Sequence, residues 1–298
     1  MRCNMLPSEY SPISFGGMEH YLELLSRNKS RASDYSFANI WGWAPYYHLE
    51  WRFDGALCWI RQMKPEPAYW APVGPWDAIA DWSLLEEMAP GARLTRVPHA
   101  LCEVWSVDLE DKVRIEEARG QWDYLYLSSE LATLPGNRFH KKKNLLKQFQ
   151  KQYRYEYQTL TGNCVEVVLN MQTEWCRWRD CESSEALLAE NDAVSRVLAH
   201  WNDIPGLCGG IIRIDGVPIA YTLGEPLEDH DTLIIHFEKA ANGIKGAYQA
   251  INYLFCNDVG KNFTYINREQ DLDDEGLRQA KLSYNPTDFS RKCAVTVT

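Results

Sequence analysis

The chain has 298 residues, 45% of them hydrophobic and 24% charged, with 12 Trp, 16 Tyr and a net charge of −10. That composition provides for a buried core in one large or two ordinary domains and excludes collagen-like, low-complexity and wholly disordered classes. No apolar run approaches the roughly 18–20 residues of a bilayer crossing, so no membrane span is expected.

In chain order, residues 18–25 and 36–43 read as short helices, the second capped by Ser33 or Asp34. Strands at 47–53 and 56–62 flank Asp54-Gly55, a dipeptide suited to the positive φ angles of a tight hairpin. A third strand is expected at 69–73, a helix at 77–88 ending before Pro90-Gly91, and extended chain at 94–97. Leu134-Pro135-Gly136-Asn137 marks a turn, and a long helix begins at Phe139. Beyond it come a strand at 155–160, helices at 165–177 and 184–201, a meander of strands at 209–214, 217–224 and 232–238, a helix at 247–259, a strand at 264–266, a helix at 274–280 and a last strand at 294–297. No fixed-period repeat and no flexible linker divides the chain. The expected domain boundary is the turn near residue 130, giving domains 1–130 and 131–298.

The whole reads as an α+β fold. The helices, three-strand meander, helix and strand of the second half resemble the GNAT-type (acyl-CoA N-acyltransferase) fold. The first half has a similar order, so two tandem GNAT-like domains are expected, each a mixed, mainly antiparallel sheet flanked by helices.

Charge is segregated. Residues 131–155 contain no Asp or Glu but carry Arg138, Lys141, Lys142, Lys143, Lys147, Lys151 and Arg154, a local +7 that leaves −17 elsewhere. Lys143, Lys147, Lys151 and Arg154 recur at helical spacing and form a stripe that either solubilises an amphipathic helix or contacts phosphates or RNA. The acidic remainder argues against duplex DNA as a partner. The first 25 residues lack the pattern of a secretory signal. Nine cysteines with no CxxC spacing are expected to stay reduced, as in a cytoplasmic chain. No zinc-type spacing, GxSxG elbow or catalytic cysteine context is present, and no metal site is expected. Trp41, Trp43, Tyr46, Tyr47, Trp51 and Trp59 read as core or interface more readily than as a ligand pocket.

The densest polar stretch is Ile266-Asn267-Arg268-Glu269-Gln270-Asp271-Leu272, continuing through Gly276-Leu277-Arg278-Gln279-Ala280-Lys281-Leu282-Ser283-Tyr284-Asn285-Pro286. A strand end followed by polar groups and a helix is a common seat of function. It also fits a solvated loop in which Arg268 pairs with Asp271 and Asp273 or Asp274 caps the helix.

This stretch resembles the signature of an uncharacterised bacterial family related to the soluble C-terminal domain of phosphatidylglycerol lysyltransferases. So do Ser36-Phe37-Ala38-Asn39-Ile40-Trp41, Phe139-His140-Lys141-Lys142-Lys143-Asn144, His236-Phe237-Glu238-Lys239-Ala240 and Gly246-Ala247-Tyr248-Gln249. The resemblance implies tandem GNAT-like domains and acyl or aminoacyl transfer to an amine or hydroxyl. It further implies a donor on a phosphate-bearing carrier, either aminoacyl-tRNA or a coenzyme A thioester, with no tightly bound cofactor. Residues 241–248 preserve only fragments of the GNAT phosphate loop, with Lys245 and Gly246 as candidate phosphate contacts or as plain helix-entrance residues.

Acyl transfer calls for a base, an oxyanion donor and an acid for the leaving group. Glu238 and Glu269 are the candidate bases and Tyr284 the candidate acid. Lys239 and Arg268 are candidate oxyanion or phosphate contacts, Tyr248 a candidate ligand-binding residue, and Asn267, Asp271 and Lys281 candidate positioning groups. Strand alternation alone also allows Glu238 to face solvent. The competing expectation is a non-catalytic protein that binds a phosphorylated small molecule or an RNA end in the same cleft.

Overall fold

The computed structural model describes residues 9–28, 30–227 and 231–298. The described chain divides into two units, one holding residues up to Asp123 with 270–274 and 290–298, the other holding 124–269 and 275–289.

The first unit contains β1 (Ser11–Pro12), α1 (Met18–Ser26), α2 (Phe37–Tyr47), β2 (Glu50–Asp54), β3 (Leu57–Gln62), β4 (Ala68–Trp70), β5 (Arg93–Pro98), α3 (His99–Asp108) and β6 (Val113–Glu117). Ser36 caps α2 by accepting a hydrogen bond from the Asn39 amide. The helix then buries Phe37, Ile40 and Trp41 and stops at His48 in the left-handed region. Trp41, Trp51 and Trp59 are core residues of this unit, whereas Trp43, Tyr46 and Tyr47 are partly exposed. The helix expected at 77–88 is instead three short 3-10 turns, at Trp76–Ala78, Trp82–Leu84 and Glu86–Met88. Extended backbone at Ile79, Asp81 and Leu85 interrupts them, and the Asp81 side chain accepts from the Ser83 amide in place of a helical bond.

The second unit contains β7 (Asp123–Leu127), α4 (Ser128–Thr133), α5 (His140–Gln152), β8 (Tyr155–Thr159), α6 (Val165–Arg179), α7 (Glu185–Ala199), β9 (Cys208–Ile214), β10 (Val217–Leu227), β11 (Thr232–Ala240), α8 (Ala247–Asp258), β12 (Tyr265–Asn267), α9 (Glu275–Leu282) and β13 (Asp288–Ser290). Its sheet runs β13-β7-β12-β11-β10-β9-β8, with β11 parallel to β12 and the pairs β7–β12, β11–β10, β10–β9 and β9–β8 antiparallel. Asp215 and Gly216 both take positive φ and close the β9–β10 hairpin, as their sequence demands. α8 packs Ala247, Ala250, Ile251 and Phe255 against one face of this sheet. The architecture is α+β, two tandem GNAT-like units, each a mixed sheet flanked by helices.

Three further expectations are corrected. The division falls at Asp123/Tyr124 and not near residue 130. The last strand, β14 (Lys292–Val297), does not join the second unit but pairs with β5 and β6 in the first unit's sheet, order β1-β2-β3-β4-β5-β14-β6. It is held there by buried Cys293, Val295 and Val297 and by Lys292, whose fully buried ammonium lies between Asp34 and Asp123. Finally, Cys176 and Cys181 form a disulfide, with Cα atoms 5.1 Å apart, because Asp180 in the left-handed region ends α6 and turns the chain back. Cys58, Cys102, Cys164, Cys208, Cys256 and Cys293 are free. Among the described residues no helix is long and apolar enough to cross a membrane.

Candidate active site in the second unit

β11 is paired in parallel with β12 only from Thr232 to Ile234, opposite Tyr265 to Asn267. Past that point β12 ends while β11 continues to Ala240. On its other side β11 carries a bulge: Leu223 lies opposite Phe237 and Gly224 opposite Ile235, which leaves His236 as an extra residue. The bulge reverses the alternation of β11. Before it, Leu233 and Ile235 pack toward Phe255 of α8, whereas after it Ala240 packs toward Ala250 and Ile251. Glu238 therefore shares the α8 side, and Lys239 points to the opposite face.

Glu238 meets Arg268, the first residue after β12, through Arg268 Nη2 donating to Glu238 Oε1 at 2.9 Å. Burial alone would lower the Arg268 pKa, but Glu238, followed by Tyr284 and Tyr126, outweighs it and raises the pKa. The Arg268 guanidinium lies over the Tyr284 ring at 4.9 Å from its centroid. Lys281 Nζ donates to the Arg268 carbonyl, and the Tyr126 hydroxyl donates to the Lys281 carbonyl at 2.8 Å. Burial pushes the Tyr284 hydroxyl up to about 12, so it remains a donor across the neutral range.

One member of this group was not singled out from the sequence. Lys142, in the first turn of α5, places Nζ 4.0 Å from the Tyr284 ring centroid. Burial and then the Arg268 charge push its pKa down to about 8, against the pull of Glu238. Its sequence signals were its place within the Phe139–Asn144 motif and within the basic run of residues 131–155.

Of the other candidates, Asn267 and Glu269 are neighbours of the site with structural partners. Asn267 Oδ1 accepts from the Glu269 amide at 2.8 Å. Glu269 is not placed as a base: its Oε1 lies 2.8 Å from His236 Nδ1, and His236 Nε2 faces Glu225 Oε1 at 3.1 Å. The bulge turns this imidazole, with a fully buried side chain, between two carboxylates. Burial alone would lower its pKa, but hydrogen bonds to Glu225 and Glu269 raise it to about 9. Neither His236 nor Glu225 was signalled by spacing, since both need the bulge to meet.

Lys239 is separated from Glu238 by strand alternation, pairing with Glu190 at 2.7 Å and lying 4.0 Å over the Trp175 ring. Tyr248, in the first turn of α8, is partly exposed. Burial raises its pKa, and the Ala240 backbone hydrogen-bonds to its hydroxyl. Gly246 takes φ +85° at the start of α8, and a Cβ there would lie 2.4 Å from the Leu145 carbonyl oxygen. Close approach of α5 thus explains this glycine without a phosphate, and Lys245 beside it is exposed. Asp271 belongs to the first unit, where it accepts from Arg119 at 3.2 Å and from the Asp273 amide. The expected Arg268–Asp271 pairing is replaced by Arg268–Glu238. Lys147, Lys151 and Arg154 are exposed and Lys143 is half-buried, but α5 ends at Gln152, so Arg154 lies beyond the helical stripe.

The first unit contains the corresponding strand divergence, and its own side chain fills it. β4 runs parallel to β5 at Tyr69–Trp70 opposite Leu94–Thr95. Just beyond, the buried Tyr35 hydroxyl accepts from the Ala71 amide at 3.1 Å and donates to the Arg96 carbonyl at 2.8 Å. Arg96, like Arg268, directly follows the paired residues, but its guanidinium is committed to Asp34 and lies over Trp70 at 4.6 Å.

Residues 26–295 match the family model described as phosphatidylglycerol lysyltransferase, C-terminal. The chain belongs to this family. A crystal structure of a conserved protein of unknown function from Bacteroides thetaiotaomicron is 30% identical, with a TM-score of 0.87 over 99% of this chain and 100% of that one. The structure of L-PGS from Bacillus licheniformis is 12% identical at a TM-score of 0.65, covering 99% of this chain and 94% of that one. FemX is 8% identical at 0.64, covering 97% of each chain. The last two likenesses establish shared fold. An uncharacterized protein of Mycoplasmoides gallisepticum is 26% identical over 183 residues, 59% of this chain and 56% of its own length. The match therefore spans little more than half of that relative. The family match covers residues 26–295 of this chain, and the Bacteroides thetaiotaomicron structure shares its fold over 99% of it.

Proposed function

We propose that the second unit transfers an activated carboxyl group, acyl or aminoacyl, to an amine or hydroxyl acceptor. The observation that carries this reading is the Glu238–Arg268 pair at the point where β11 and β12 part, with Tyr284 against it. Arg268 has more guanidinium donors than its bond to Glu238 uses, and these suit the negative charge that develops on a carbonyl oxygen. Tyr284, still protonated at neutral pH, suits the leaving oxygen. Glu238 orients Arg268 and is positioned to hold the incoming amine.

For the donor we favour aminoacyl-tRNA over a coenzyme A thioester. Membership of a lysyltransferase family supports this choice, as does the likeness in fold to FemX. The exposed Lys147, Lys151 and Arg154, with Lys143, supply cationic contacts for a carrier's phosphates. Gly246, the residue best placed to open a pyrophosphate loop, is already required by the contact with α5. Such a donor implies a cytoplasmic reaction.

The test is transfer from a mixture of charged transfer RNAs to hydroxylamine, read as aminoacyl hydroxamate, beside equilibrium dialysis against acetyl-CoA. The expected result is hydroxamate formation that Arg268→Gln and Glu238→Gln abolish while binding persists. Binding should weaken with salt at a log–log slope of about −3, the value for four phosphate contacts. Acetyl-CoA binding without RNA binding would move the donor to the thioester. RNA binding without turnover in the unsubstituted protein would make it a binder.

A further inference from the structure

Helix α5 begins against an elementary rule. Its first turn holds Lys141, Lys142 and Lys143 and no acidic residue, at the end of the helix where the backbone dipole disfavours cations. Two of these lysines have a simple outlet, since Lys141 is exposed and Lys143 is half-exposed on the same turn. Lys142 does not, because its side chain turns inward onto Tyr284.

There it shares the tyrosine ring with a second cation, Arg268, whose guanidinium lies 4.9 Å from the same centroid. The carboxylate acting on it is Glu238, and Oε1 of that group already accepts from Arg268. No ion pair joins Lys142 to an acid among the described residues. The titratable and charged groups facing it are Glu238 from β11, Arg268 after β12 and Tyr284 after α9, with Tyr126 of β7 beyond Arg268. Loss of the proton from Lys142 relieves burial, repulsion from Arg268 and the unfavourable helix end together. The attraction of Glu238 and of the ring face opposes it.

We propose that the neutral amine of Lys142 is the proton acceptor of this site, a catalytic residue for the transfer proposed above, on which this inference rests. The acceptor arrives as a neutral amine or a hydroxyl. Its nitrogen or oxygen forms the new bond to the carbonyl carbon as the ester bond to the carrier breaks. The proton lost by the attacking atom passes to Lys142 Nζ, and the departing oxygen takes the phenolic proton of Tyr284. Lys142 then returns its proton to Tyr284, so both residues end the cycle in their starting protonation states. The direction of the Lys142 titration, down to about 8, agrees with this role.

The experiment has two arms. In the first, the protein is labelled at lysine Cε with carbon-13 and titrated by NMR, Lys142 being assigned by its loss in Lys142→Arg. One lysine is expected to titrate near 8. Arg268→Gln should move that value up by removing a repelling charge, and Glu238→Gln should move it down by removing an attracting one. A Lys142 that titrates at the ordinary lysine value of about 10.4, or shifts in the opposite directions, overturns the inference.

In the second arm, hydroxamate formation from charged transfer RNA is followed against pH. The acidic limb is expected to fall near the Lys142 value and to vanish in Lys142→Met and Lys142→Arg. An ordinary Lys142 pKa with transfer intact would remove the base role alone. A Lys142 titrating near 8 in a protein that transfers nothing would remove the transferase reading, and the base role with it.

Discussion

His236 Nδ1 lies 2.8 Å from Glu269 Oε1 while the opposite ring nitrogen faces Glu225 at 3.1 Å. Two carboxylates on one imidazole make the charged ring the stable form in the folded protein, with its pKa raised from 6.5 to about 9. The pair contributes stability that is fully present below the unfolded pKa and is lost as pH rises through the folded one. Stability should therefore fall by about 3 kcal/mol between pH 6.5 and 9.5, at about 1.4 kcal/mol for each tenfold gain in proton affinity on folding. Urea unfolding across that range checks this, and His236→Gln should lose most of the pH dependence.

Gly246 is expected to be a stability residue. Gly246→Ala sets a Cβ against the Leu145 carbonyl oxygen and keeps a positive φ, and it should cost about 2–4 kcal/mol. Gly243→Ala has the same sign of φ but nothing within 4 Å, and should cost about 1 kcal/mol. Thermal melts of the two variants give the comparison. Equal, small losses would make Gly246 a candidate ligand contact again.

Tyr35 occupies the strand divergence of the first unit, and burial holds its pKa well above 10.0, so the hydroxyl both donates and accepts. Tyr35→Phe leaves the Ala71 amide and the Arg96 carbonyl without this partner. The expected loss is about 2–3 kcal/mol, read by chemical denaturation, with transfer at the second unit retained.

Cys176 and Cys181 close a short loop between α6 and α7. On the loop-entropy relation, a ring this small stabilises by roughly 2 kcal/mol. Cys176→Ser should lower the unfolding midpoint accordingly without reductant and leave it unchanged in dithiothreitol. A midpoint indifferent to both would mean the thiols stay apart, as their spacing alone led one to expect.

The sequence by itself determined the order of elements from α5 to α9 and the two Asx-Gly hairpins, and it singled out Glu238, Arg268 and Tyr284 as candidates, but it did not announce β7, α4 or β13. These depend on local propensity, on turn dihedrals and on a contiguous motif, all of which are written along the chain. It misjudged 77–88, where Trp76, Trp82 and Met88 are buried at a spacing that fits no helix.

Only tertiary structure decided the rest. The bulge at His236 sends Glu238 and Lys239 to opposite faces, and no propensity announces a bulge. Lys142 acquires its character from Arg268 and Tyr284, more than a hundred residues away in sequence. Asp271 and β14 return to the first unit because buried charges there need partners: Arg119 with Asp271, and Lys292 with Asp34 and Asp123. Desolvation and charge pairing depend on distance in space, and a linear sequence does not record that distance.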